Sequence, residues 1–180
     1  MGENGVSAYG VLMYVQFIFI AIFIGYSIGS APIISYHYGA GNHMELKNML
    51  KKSVLLSSGA GIILSLSAFL LAAPLAKIFV GYDAELFDLT AHAFQLFAFS
   101  FLLAGLNIFA SSFFTALNNG AISAAISFMR TLIFQTGAVL LLPVFFDVDG
   151  IWFAITIAEI CACILSAAFL IAKRRKYHYM

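Results

Sequence analysis

Two ionisable residues, Arg130 and Glu159, stand inside stretches that are otherwise apolar. A charge in the middle of a bilayer costs about 3 kcal/mol on insertion scales, so such residues usually face a bundle interior or a cavity. At a rise of about 1.5 Å per residue, Arg130 lies roughly 13 Å from the inner end of its stretch. Glu159 lies roughly 12 Å from the outer end of the next one. In a hydrocarbon core about 30 Å thick their heights then differ by about 5 Å, a gap that long side chains bridge. Thr156, Glu159, Cys163 and Ser166 share one helical face, and Ser123, Ser127 and Arg130 share another. Gln135 comes a little over a turn above Arg130, about level with Glu159.

Two kinds of chemistry fit this pattern. A network of Arg130, Glu159 and Gln135 would line a substrate or proton path, whereas a structural ion pair would only hold two antiparallel helices together. Gln16, Gln95 and Asn107 are weaker signals, read first as interhelical hydrogen bonds, with Asn107 also a candidate for the path. His92, one turn from Asp88, reads as a water-facing pair. Gly25 and Gly29 form a G-x-x-x-G spacing that permits close helix contact. The four histidines are scattered, and no H-E-x-x-H, G-x-S-x-G or phosphate-cradling loop occurs, so an enzyme reading has no residues to name and no metal site is expected. Cys161 and Cys163 point to nearly opposite sides of a helix, which argues against a mutual disulfide.

The elements that must position these residues are membrane helices. The chain of 180 residues is 63% hydrophobic and 9% charged, with a mean hydropathy of +1.01, leaving too few polar groups to coat a globule in water. Runs long enough to cross a bilayer predict an all-α, polytopic bundle of about five spans: about 9–36, 53–73, 89–117, 121–146 and 151–172, in one domain with a basic tail over 173–180. The stretch Gly41–Ser53 reads either as a surface amphipathic segment or as the start of the second helix. Polar breaks alternate in sign: Lys47, Lys51 and Lys52 in the first, a mostly acidic second, Asp147 and Asp149 in the fourth, then Lys173 to Lys176. Basic loops stay in the cytoplasm, so the N-terminus is expected outside and the C-terminus in the cytoplasm of a multi-pass cell-membrane protein. The acidic opening does not resemble a signal peptide. A net charge of +1 argues neither for nor against nucleic acid.

The residues N-G-V-S-A-Y-G, then A-P-I-I-S-Y-H-Y-G-A-G-N, then F-F-T-A-L-N-N-G, S-F-M-R-T-L-I-F-Q and L-L-P-V-F-F-D-V-D-G-I-W-F-A follow one another in order. This set resembles the multidrug and toxic compound extrusion (MATE) family, over essentially the whole chain. The resemblance implies twelve helices in two six-helix lobes, of which this chain would supply helices eight to twelve. It implies exchange of cationic or amphipathic drugs for sodium ions or protons by alternating access, with no further cofactor. The expected partners are the lipid bilayer, such drugs and the missing N-terminal helices, and no nucleic acid. Alone, the chain is expected to transport nothing. Where sodium-coupled members carry an acidic ligand on the tenth helix, this chain has Ala104, before Gly105-Leu106-Asn107, so the family's coupling site does not carry over. Pro32, with Gly29 a turn before it, becomes a hinge candidate near the inner end of the eighth helix. Two alternatives stay open: a lipid-linked oligosaccharide flippase of the same superfamily, and a non-transporting membrane scaffold or assembly subunit.

Overall fold

The structure is a computed structural model that describes residues 2–179; Met1 and Met180, the ends of the acidic opening and the basic tail, lie outside the described residues. Among the described residues every regular element is helical. The first span is α1 (Gly2–Gly39), long enough at roughly 57 Å to project beyond a hydrocarbon core of about 30 Å. Pro32 sits inside α1 without ending it. The chain turns at Gly41, whose φ of +67° suits a residue without a Cβ. Asn42 then caps α2 (His43–Leu70) by accepting the Glu45 N–H at 3.2 Å. The amphipathic stretch is therefore the beginning of the second helix. The second span ends at Leu70, and after a break at Leu71 the chain continues as α3 (Ala72–Val80), with Pro74 in its first turn, where its missing N–H has no helical partner to lose.

Asp83 caps α4 (Ala84–Phe97), which tightens through a 3₁₀ turn at Ala98–Ser100 into α5 (Phe101–Ala116) to make the third span. Asn118 and Asn119 turn the chain, and Asn119 caps α6 (Gly120–Phe128). A π-helical segment, Met129–Gln135, leads into α7 (Thr136–Tyr177). From Gly120 to Tyr177 is 58 residues, roughly 87 Å of helix and far more than one crossing needs. The backbone breaks at Phe146 and Asp147, where φ/ψ become −124°/15° and 48°/−129°, so two antiparallel arms form the fourth and fifth spans. Ala138 on one arm packs with Ala154 and Ala158 on the other. The five spans form the all-α transmembrane bundle that the apolar runs predict.

Two aromatic-rich cores lie at opposite ends. One gathers Leu12, Phe94, Phe97, Phe101 and Trp152. The other gathers Ile34, Leu46, Phe109, Phe113, Phe114 and the tail residues Tyr177 and Tyr179. Tyr179 donates to the Leu170 carbonyl at 2.9 Å, and burial, with Tyr177 as a lesser cause, pushes its phenol above the usual range. Outside these cores the helices present large apolar side chains such as Phe17, Leu55 and Ile164, a surface suited to lipid rather than water. Close helix contacts form at other glycines than expected. A Cβ at Gly25 or Gly29 would meet nothing within 4 Å, whereas one at Gly61 would stand 2.8 Å from the Leu102 carbonyl and one at Gly105 would strike the Phe23 ring.

Candidate functional site

Between the two cores, the third, fourth and fifth spans meet through polar side chains. Arg130 projects from the π-helical segment, and its Nε and Nη2 donate to Glu159 Oε1 at 2.9 and 2.6 Å. The second carboxylate oxygen, Oε2, accepts from Asn107 Nδ2 at 2.7 Å. That same amide donates to the Glu159 carbonyl at 3.0 Å, and Asn107 Oδ1 accepts from the Ser166 hydroxyl at 3.2 Å. Glu159 is 5% exposed at its side chain and Arg130 20%, so the carboxylate is desolvated while the guanidinium still reaches a cavity. Burying either charge alone would be costly, and the charge-assisted bonds from two other helices offset that penalty.

The arrangement brings three of the four polar candidates together and leaves one out. Gln135 is half-buried and makes no hydrogen bond to Glu159 among the described residues, because Asn107 reaches the free carboxylate oxygen from the opposite side. The network that sequence spacing drew as Arg-Glu-Gln is thus Arg-Glu-Asn. Ser166, on the Glu159 face, joins it through Asn107. A second polar cluster lies toward the basic end: Ser111 bonds the Ser123 and Ser127 hydroxyls at 2.9 and 2.8 Å, and Thr115 donates to Ser123 at 2.7 Å. The sequence carried a signal for it, since Asn107, Ser111 and Thr115 recur every fourth residue on one helix face. A groove of about 240 Å³ opens beside both clusters, walled by Ile20, Ile24, Asn107, Ser111, Ser127 and Arg130.

The hinge candidates lie apart from this site. Gly29 and Pro32 belong to an uninterrupted stretch of α1, and the nearby Ser35 hydroxyl donates to the Ala116 carbonyl at 2.8 Å, tying that end of α1 to the third span. His92 pairs with Asp149 at 2.9 Å rather than with Asp88, since the turn between the two arms brings Asp149 against the third span. Both Cys161 and Cys163 carry free thiols.

The MatE family profile matches residues 1–139. Solved structures superpose closely: an inward-facing conformation of a multidrug resistance MATE family transporter of the MOP superfamily gives a TM-score of 0.92 at 18% identity, covering 98% of this chain and 41% of that one. The outward-facing conformation gives 0.91 at 18%, covering 99% and 40%. The Vibrio cholerae MATE transporter VcmN in its bent form gives 0.87 at 17%, covering 98% and 41%. The chain thus spans about two fifths of the length of these transporters and shares their fold equally in both facing states. No curated protein matches it. With the family profile running through the first three spans and into the fourth, and a fold that superposes on MATE transporters, the chain belongs to the MatE family.

Proposed function

We propose that the chain forms helices eight to twelve of a twelve-helix MATE-type antiporter. That protein exports cationic or amphipathic compounds in exchange for sodium ions or protons by alternating access. The observation that carries this reading is the buried Glu159 carboxylate, held by Arg130 and Asn107 beside a groove between three spans. Intramembrane ionisable groups of this kind are the usual furniture of ion and substrate pathways. A cation entering the groove takes Glu159 only by displacing Arg130, which couples its arrival to movement of the fourth span. The orientation proposed with it, with the Lys47 and Lys173 ends in the cytoplasm and the N-terminus outside, is supported by the basic segments through the preference of such loops for the cytoplasm.

Reconstitution with a partner supplying the remaining helices tests the reading through ethidium efflux against a pH or sodium gradient. Glu159→Gln keeps the bond from Asn107 but removes the charge. It is expected to lower ion-driven efflux by about tenfold or more, within the range of coupling energies between linked sites. Ion-independent flux in the completed protein would sink the antiport reading, and absent flux would favour a scaffold. Full flux in Glu159→Gln would make the ion pair structural.

Pro32 is proposed as the hinge of α1, since the Ile28 carbonyl lacks the N–H that any other residue at position 32 would offer. Pro32→Ala should restore the missing backbone bond and stiffen the helix, lowering the maximal efflux rate several-fold with ethidium affinity unchanged. An unchanged maximal rate would remove Pro32 from the mechanism.

A further inference from the structure

The basic end of the bundle sets a cluster of cations beside an apolar groove. His43, Lys47 and Lys51 recur every fourth residue along α2 and so line one face. His43 packs against His178 with ring centroids 4.9 Å apart, and the His178 N–H bonds the Arg174 carbonyl at 2.9 Å. The head of α2 and the run Lys173-Arg174-Arg175-Lys176 are thereby drawn together. Lys47, Lys51, Lys52, Arg174, Arg175 and Lys176 are all exposed there. Glu45, which accepts from Asn48, is the lone carboxylate in the first basic segment.

An apolar groove of about 160 Å³ runs between α2, α5 and the fifth span, walled by Val54, Phe109, Ala167 and Leu170 and floored by Asn107 and Ser166. Val54 is three residues past Lys51, and Leu170 is three before Lys173. The groove mouth is therefore about one helical turn, roughly 5 Å, from cations on both of its sides. Leu55 and Ile171, beside those walls, are exposed as lipid-facing residues are.

We propose that this groove holds an acyl chain of an anionic phospholipid from the leaflet at the basic end, with the lipid phosphate held by Lys51, Lys52, Lys173 and Arg174. The pairing of an apolar slot with a cationic mouth selects an amphiphile, and the sign of the mouth selects an anionic one. Each basic residue near the headgroup is worth about fivefold in affinity. The acyl chain packs against Asn107 and Ser166, the same pair that orients Glu159. This site stands on the basic end and the groove alone and does not depend on the transport reading.

Native mass spectrometry of the purified chain in micelles doped with palmitoyl-oleoyl phosphatidylglycerol or phosphatidylcholine tests it. The unaltered chain should retain phosphatidylglycerol about fivefold or more over phosphatidylcholine, with inorganic phosphate unable to displace it. Lys51→Gln/Arg174→Gln, both surface changes, should bring the two lipids near parity. Ala167→Phe, which fills the groove, should reduce retention of both, with circular dichroism reporting an intact fold. Equal retention by the unaltered chain, a preference that survives Lys51→Gln/Arg174→Gln, displacement by phosphate, or unchanged retention in a folded Ala167→Phe would each overturn the site.

Discussion

Arg130→Met is expected to destabilise the bundle by about 3–5 kcal/mol, because it strands the Glu159 carboxylate in a site where only Asn107 remains to hold it. For a chain of this size the loss corresponds to a fall of roughly 10 °C in the thermal midpoint measured in detergent. The decisive measurement is the double variant. In Arg130→Met/Glu159→Gln no charge is left buried, and the Gln side chain still accepts from Asn107, so most of the lost stability should return. The interaction between the two changes is then large and opposite in sign to either single effect, as expected for partners in one network. Additive losses would mean that Arg130 and Glu159 do not depend on each other. The same double variant also separates structure from transport: it should fold, yet under the proposed antiport the completed protein should still fail to couple efflux to an ion gradient.

How far these residues could be read from sequence follows from what fixes each feature. The spans were legible because crossing a bilayer demands about 20 apolar residues regardless of packing. Depth was legible for the same reason: rise per residue placed Arg130 and Glu159 at compatible heights, and the structure joins them. Azimuth was harder. Gln135 shared the height of Glu159, but its partner was decided by which helix approaches from the far side, and α5 brings Asn107 there instead. The π-helical segment at Met129–Gln135 left no mark in the sequence, since it is a packing adjustment and not a propensity. The G-x-x-x-G spacing at Gly25 and Gly29 misled in the same way. Spacing permits a close contact, but only a facing helix makes one, and among the described residues none stands there.

Gly150→Ala is expected to be nearly as damaging as the loss of a buried contact, though it adds only a methyl group. At Gly150 the returning arm of α7 crosses the outgoing arm so closely that a Cβ would stand 2.5 Å from the Leu142 carbonyl carbon and oxygen and 2.7 Å from the Pro143 nitrogen. These are backbone atoms, and Pro143 leaves them little freedom to move aside, so the two arms must separate. Overpacking of this kind costs about 1–3 kcal/mol, while the gain in helix propensity from Gly to Ala returns at most about 1 kcal/mol. The clash therefore prevails, and the thermal midpoint should drop by about 5 °C. Separation would also strain the turn at Asp147, already at a positive φ, and the His92–Asp149 pair next to it. Gly25→Ala is the matched control: its Cβ meets open space, so only the propensity term remains and stability should rise by up to about 1 kcal/mol. If Gly150→Ala proved as stable as Gly25→Ala, the fourth and fifth spans would have to cross farther apart than this structure places them, and the hairpin that sets Glu159 opposite Arg130 would need a different anchor.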